Sequence, residues 1–350
     1  MRDPDARRRF RVLPGGAEER RGRPRLALAL LQISVSLALL WLLLRQVDFG
    51  HLLTLLGRSL DNAGWLVAAA VLVGLGILVA TLRWRLLLRG QRHDPPFGTL
   101  LRAFLVGVFF NQFLPSTLGG DVARAMWIAR DGPPRATSLV VVALDRWLGM
   151  LGICLAALLG LAFHPPTSDE APLLAALTCL ALLAVMSGLA LAHPGARRWA
   201  RRMLRGPLRG LRRRSTELFD ALAVYRKQKL RLAACAGLSV LIQVLIAFAY
   251  ASIARSMEVG PGFVALAAIV PVVSLVSAFP VTINGIGARE NALALLSGGL
   301  VAGAAVGIAW LFMLCGLLYG AAGGVLYVIA SARRAGIGRL IRRGESAAAR

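Results

Sequence analysis

Residues 111–130, NQFLPSTLGGDVARAMWIAR, break a run of membrane-grade hydrophobicity with Pro115, Ser116, Thr117, Gly119, Gly120, Asp121 and Arg124. A second stretch, FPVTINGIGARENALALL at 279–296, breaks the second half of the chain in the same manner. Laid over each other, both read Pro-x-Thr-Leu/Ile-x-Gly-x-x-Ala-Arg. Pro115, Thr117, Gly120, Ala123 and Arg124 fall on Pro280, Thr282, Gly285, Ala288 and Arg289. Five identities in ten positions are within chance for a chain rich in Ala, Gly and Arg. Their placement carries the weight, since each marks the main polar break in a long apolar region.

The surrounding composition sets the class. The chain has 350 residues, is 57% hydrophobic and has a mean hydropathy of +0.67. A soluble domain cannot bury that much apolar surface, so a polytopic, all-α integral membrane protein is expected. The net charge of +24 raises nucleic acid as a partner. The arginines, however, sit mostly between hydrophobic segments and form no nucleic-acid-binding motif. Lys and Arg in cytoplasmic loops account for them, and no nucleic-acid partner is expected. Cys154, Cys179, Cys235 and Cys315 lie inside apolar segments without CxxC spacing and read as small core hydrophobes. His51, His93, His164 and His193 are scattered through connecting loops, so neither a metal nor a cofactor is expected.

Outward from the first motif, charge bias orders the segments. Residues 1–25 carry nine arginines and read as a disordered basic cytoplasmic tail. Residues 26–44 form a first span that is too poor in cleavage signals to be a signal peptide. Residues 48–62 space Phe49, Leu52, Leu53, Leu55 and Leu56 as an amphipathic helix at the outer interface. Residues 63–82 cross back, and Arg83, Arg85, Arg89 and Arg92 mark a cytoplasmic loop. Residues 97–114 enter the bilayer, meet the first motif and return to the same side as a re-entrant hairpin. Such non-helical backbone is tolerated only where it is buried in protein or lines a cavity.

Further spans are expected at 137–163, 172–192 and 232–254, with a basic cytoplasmic loop at 193–231. That loop holds thirteen Arg and Lys against Glu217 and Asp220, which suits anionic lipids at the cytoplasmic surface; topology-setting charge explains it equally well. Residues 262–279 then enter from outside, the second motif follows, 291–305 return, and 306–330 form the last span before a basic cytoplasmic tail at 332–350. The expectation is about six full spans plus two re-entrant hairpins, or about eight membrane-embedded segments, within a domain at 26–331. Both termini come out cytoplasmic. Three full spans separate the motifs, so their hairpins enter from opposite faces, as in the inverted repeats of secondary transporters.

In the first motif, Gly119 and Gly120 permit a tight turn and Asp121 suits the N-cap of a helix through 122–129. Arg124, one turn on, is spaced to pair with Asp121. A helix start with free N–H groups and an arginine suits a phosphate. The second motif offers Thr282, Asn284, Gly285 and Gly287 before Arg289, while Glu290, being adjacent to Arg289, takes a different partner. The plainer alternative is Pro and Gly kinking packed helices while the arginines snorkel to an interface. Charged groups within membrane segments are costly and often functional, and the pairing of the motifs favours function. Asp145 and Arg146 lie roughly 12–14 Å along the third span. Either Arg146 joins the anion site, or Asp145 neutralises an arginine of the first motif, or the two only orient helices. There is no P-loop, GxSxG, HExxH or DDxxD-type cluster, so enzymatic activity is not expected.

At residues 111–130, at LDRWLGM (144–150) and at 279–296, the chain resembles the lysylphosphatidylglycerol synthase transmembrane-region family, a flippase-like membrane domain. The similarity spans roughly 26–331. It implies a multi-pass protein of the bacterial or archaeal cytoplasmic membrane. Some members carry a soluble domain that aminoacylates phosphatidylglycerol, and the membrane part moves the product lipid outward; others accompany glycosyltransferases or hopanoid-lipid enzymes. No such catalytic domain fits within these 350 residues, so synthase activity is not expected. The resemblance marks Asp121, Arg124, Arg289 and Glu290 as functional.

The resulting expectation is translocation of a phospholipid or lipid-linked headgroup. Asn111, Ser116, Thr117, Gly119, Gly120, Asp121, Arg124, Arg146, Thr282, Asn284, Gly285, Gly287, Arg289 and Glu290 would form the headgroup site. Asp121, Asp145 and Glu290 are candidate proton carriers. A membrane-embedded transferase, or an accessory subunit of a separately encoded lipid-modifying enzyme, is the alternative.

Overall fold

The computed structural model describes residues 34–113, 119–130, 132–163, 195, 224–260, 262–278, 282, 284–297 and 301–348. All regular structure among them is helical. The elements are α1 (Ser34–Leu44), α2 (Phe49–Asp61), α3 (Ala63–Gly90), α4 (Phe97–Phe113), α5 (Gly119–Ile128) and α6 (Arg135–Phe163). After a 3-10 turn at Val224–Lys227 come α7 (Lys229–Ser256), α8 (Phe263–Ala278), α9 (Ala288–Leu296) and α10 (Ala302–Ala348).

Four of these helices are long and apolar enough to cross a membrane: α3, α6, α7 and the first part of α10 through Ala332. The bent pair α1 and α2 raises the number to five if counted as one span. These four match four of the six expected full spans. The expected span at 26–44 is described only from residue 34, and that at 172–192 lies outside the described residues, as does most of the 193–231 loop.

The helices are built for lipid. The 28 residues of α3 reach about 42 Å at ~1.5 Å per residue, against a hydrocarbon core of about 30 Å. Its outward face is Val67, Val71, Leu75, Leu78 and Leu82, all at least 39% exposed, which water would not tolerate as a contiguous patch. Its inward face carries Ala69, Gly76, Ala80 and Thr81, then Arg83, Trp84 and Leu87. By contrast, α8 buries Leu266, Ala268, Ile269, Val270, Pro271, Val272, Val273 and Leu275. A helix apolar on all sides belongs in the middle of a bundle.

The expected boundary at Leu82 moves. The helix runs on to Gly90, because Leu86, Leu87 and Leu88 continue the apolar pattern, and Arg83 is consequently an interior residue at 7% exposure. The end of α3 is then closed by side chains from the segment just before α7. Tyr225 donates to the Leu87 carbonyl at 2.6 Å and Gln228 to the Gly90 carbonyl at 3.0 Å, satisfying acceptors a helix end leaves open. Asp94 clamps the same end from the next loop. The Arg89 hydrogen bond, with Arg85 beside it, holds its carboxyl down at about 2.

Asp48 caps α2, accepting from Gly50 N at 2.9 Å and His51 N at 3.2 Å, and α2 turns 95° from α1. The expected helix is present, but of its five spaced apolar residues only Leu52 and Leu55 are buried, while Phe49 and Leu53 face out.

The two motifs form helical hairpins. Gly120 of α5 meets Asn111 and Gly107 of α4, Arg124 lies over Phe104, and Ile128 reaches the loop at Pro96, so α5 runs back along α4. In the second pair α9 packs on α8. The turns meet inside: Asn284 Nδ2 donates to Gln112 Oε1 at 2.5 Å. Along α10, Gly316 and Gly320 let Gln112 lie close, and a Cβ at Gly323 would enter the backbone of α4 at Leu105. Small residues at such seams are how membrane helices approach each other. The expected return segment at 291–305 is two elements instead. The α9 helix stops at Leu296, and α10 begins at Ala302 rather than 306.

Candidate functional site

Five charged side chains converge where α3, α5, α6 and α7 meet. Asp145 of α6, 2% exposed, accepts Arg83 Nε at 2.7 Å and Arg124 Nη2 at 2.9 Å on its two oxygens. Arg83 also donates from Nη1 to Ser239 Oγ of α7 at 2.7 Å. Asp121 of α5 pairs with Arg124 at 3.1 Å and with Arg146 of α6. Among the described residues the cluster sets three arginines against two aspartates, a surplus of one positive charge in a low-dielectric interior.

Arg124 is the hub. It is 5% exposed, its guanidinium carbon stands 5.1 Å from the Trp84 ring and 5.0 Å from the Phe104 ring, and its Nε and Nη1 have no hydrogen-bond partner among the described residues. The aromatic faces offset part of the desolvation cost of a buried cation, and the unpaired donors leave the rest uncompensated. A cavity of about 240 Å³ opens on this cluster. Arg83, Asn111, Asp121, Arg124, Asp145 and Arg146 supply its polar wall, and Ala278, at the end of α8, closes one side. Both hairpins therefore reach the same cavity.

The cap arrangement differs from the expected one. Asp121 is the third residue of α5, not its N-cap, because the helix starts at Gly119. Asn111 does the capping from α4: its Oδ1 accepts from Gly120 N at 2.9 Å. The Asp121 carboxylate is thereby free to bind Arg124 and Arg146. The anion-attracting part of the site is one turn along, at the arginines, rather than at the helix start.

Of the expected site residues, Asn111, Asp121, Arg124 and Arg146 line the cavity, and Gly120 supports it from behind. Ser116 and Thr117 lie outside the described residues. Thr282, Asn284, Gly285, Gly287, Arg289 and Glu290 are not among the residues lining the cavity. Asn284, Gly285 and Gly287 have φ of 51°, 77° and 81°, which fits their residue types. A Cβ at Gly287 would also press on Leu39 and the Ser36 carbonyl of α1. Arg289 donates to the Asn284 carbonyl at 3.3 Å and stands 5.7 Å from the Phe312 ring. Glu290, 1% exposed, accepts from Gly287 N at 2.8 Å. Arg289 and Glu290 do take different partners, as their adjacency requires. Thr282 Oγ1 is buried without a partner.

Sequence reasoning missed Arg83 and Ser239. The signal for Arg83 was present: Ala80 and Leu87, at i−3 and i+4, put it on the buried stripe of α3. Ser239 sits among similar small residues of α7 and carries no such mark.

Gly120 yields a direct test of the hairpin. An added Cβ would run into the Gly107 carbonyl and the Asn111 side chain, both on α4. Gly120→Ala is expected to cost about 1–3 kcal/mol through overpacking. Asn111→Ala, which removes only the hydrogen bond, is expected to cost about 1 kcal/mol. Thermal unfolding in detergent measures both, and equal unfolding temperatures for Gly120→Ala and wild type would contradict the packing.

Among the described residues no group of three or more His, Cys, Asp or Glu is placed to hold a metal ion. A family model described as Lysylphosphatidylglycerol synthase TM region matches residues 29–324. No match was found among curated proteins or solved structures.

Proposed function

The chain belongs to the lysylphosphatidylglycerol synthase TM region family and is a multi-pass membrane protein of lipid-related processes; from that premise we propose that it moves phosphate-bearing lipids across the membrane, as a transporter rather than an enzyme. The observation that carries this reading is the cationic surplus at Arg124, whose guanidinium lines a cavity and holds two nitrogens without acceptors. A phosphodiester monoanion supplies both the missing acceptors and the missing charge. The cavity, about 240 Å³, is below the usual range of about 300–1,000 Å³ for whole ligands. It suits a phosphate and the start of a headgroup, with the acyl chains left in the bilayer.

In this reading the two motif hairpins are re-entrant and enter from opposite faces, and their touching turns at Gln112 and Asn284 separate the two halves of the path. Arg83 and Asp145 form the fixed frame, while Arg124 and Arg146 receive the phosphate. The Arg289 side acts on the path beyond the turns rather than at the cavity itself. Among the three candidate proton carriers, Asp121 and Asp145 are held by arginines. Glu290 forms no ion pair with a described arginine and accepts from a backbone N–H instead, so this reading favours it as the proton carrier. The protein sits in the cytoplasmic membrane with the Arg85, Arg89 and Arg92 end inward, where anionic lipids attract it. A separately encoded lipid-modifying enzyme supplies or consumes the lipid.

The test compares headgroup-labelled phosphatidylglycerol with a headgroup-labelled glycolipid that lacks phosphate, in liposomes with and without the protein. Protein-dependent movement of the first and not the second is expected. Equal movement of both, or of neither, would remove phosphate recognition from the account.

A further inference from the structure

A second polar cavity lies at the other end of α3, where that helix begins and where α7 ends and α8 starts. Its volume is about 530 Å³, and Asn62, Trp65, Arg255, Glu258 and Phe263 are in its lining. The turn that shapes it needs Glu258 at φ 57° and Gly260 at φ 105°. Arg255, in the last turn of α7, is exposed and forms no ion pair with any described carboxylate. The nearby Glu258 is engaged instead with Arg58 at 3.9 Å and with Asn62 Nδ2 at 3.4 Å.

Depth and surroundings fit a lipid headgroup. From Asn62 to Arg83 is roughly 30 Å along the helix axis, about one hydrocarbon thickness. Trp65 and Phe263 stand at the mouth, and Phe263 stacks on Phe248 with centroids 4.1 Å apart, as aromatic side chains do at a membrane interface. Between the two cavities α7 turns polar atoms inward. Ser239 is held by Arg83, Gln243 has a buried Oε1 without a partner one turn on, and Tyr250 packs on Phe312, the ring faced by Arg289.

We propose that this far-end cavity is a second binding site for a lipid phosphate group, with Arg255 as its cation and Asn62 beside it. It is the station a headgroup occupies at the opposite face from the Arg85 end, after leaving the Arg124 cavity. The proposal rests on the translocation reading above. Free phosphate shares the chemistry, and the measurement separates the two.

Short-chain phosphatidylglycerol is titrated into the purified full chain in detergent, with wild type, Arg255→Gln, Arg124→Gln and Arg45→Gln compared at matched unfolding temperature. Arg255 is exposed, so Arg255→Gln is expected to fold like wild type. Wild type is expected to show two classes of site, and Arg255→Gln to weaken one of them about tenfold through loss of a charge-assisted hydrogen bond. Arg45→Gln, whose side chain lies against Trp41 and is outside the lining, is expected to change neither. An unchanged Arg255→Gln isotherm, or an equal loss in Arg45→Gln, would overturn the site. Displacement of the lipid from the Arg255 class by inorganic phosphate alone would overturn its lipid assignment. If Arg255→Gln loses one class while Arg124→Gln loses none, the far site stands and the central-cavity reading is what fails.

Discussion

Replacing Asp145 with asparagine is expected to lower the stability of the folded protein by about 3–5 kcal/mol, the cost of leaving buried charges without their counter-ion. Asp145 is 2% exposed and each carboxylate oxygen is taken by a different arginine, Arg83 at 2.7 Å and Arg124 at 2.9 Å. Three helices, α3, α5 and α6, are tied through that one group. Asparagine keeps the size but brings no charge, and its amide N–H group would face a guanidinium. Arg83 has Ser239 as its other partner and cannot move to water without carrying α3 with it. Thermal unfolding of detergent-solubilised protein measures the loss. Adding Arg83→Met to Asp145→Asn is expected to recover part of it, because one uncompensated cation is removed. Wild-type stability in Asp145→Asn would show that the cluster does not hold the bundle together.

Arg124→Gln is expected to do the opposite: to keep the fold and lose the ligand. With Arg124 gone, Asp145 keeps Arg83 and Asp121 keeps Arg146, so no carboxylate is stranded. The cavity charge falls from three arginines against two aspartates to two against two. Two donors toward a phosphate oxygen, at about 1.5–3 kcal/mol each for charged groups, amount to at least about a hundredfold in affinity. Arg124→Lys is expected to fall between. An ammonium keeps the charge but cannot reach Asp121, Asp145 and a ligand at once while lying between Trp84 and Phe104. Titration with short-chain phosphatidylglycerol at matched unfolding temperature reads this out. A hundredfold loss in Arg124→Gln together with wild-type binding in Arg124→Lys would mean that charge alone matters.

The bundle was largely legible from the chain. Apolar length and arginine placement locate α3, α6, α7 and α10, and the polar breaks locate the packed pairs α4–α5 and α8–α9, because lipid imposes length and excludes charge so strongly. Boundaries were weaker. Arg83 reads as a loop residue in the sequence since charge ordinarily ends a span, whereas a buried aspartate 62 positions away keeps it inside the helix. Pairing across the fold was only partly readable. Asp121 with Arg124 followed from helical spacing, but Asp121 with Arg146 and Asp145 with Arg83 need tertiary structure to be seen. Asn111 is expected in the headgroup site, yet its capping of Gly120 depends on how α5 folds back on α4. The second motif matched the first in sequence but not in chemistry: its glycines and Asn284 shape a turn, while its Arg289 and Glu290 serve that turn rather than the cavity.

The central claim is that a lipid phosphate passes through the Arg124 cavity on its way across the membrane. Its most direct measurement is the rate at which headgroup-labelled phosphatidylglycerol becomes accessible from the opposite leaflet of liposomes holding equal amounts of folded wild-type or Arg124→Gln protein. The account predicts rapid exchange with wild type and a rate near that of protein-free liposomes with Arg124→Gln. Equal rates for the two proteins would contradict it.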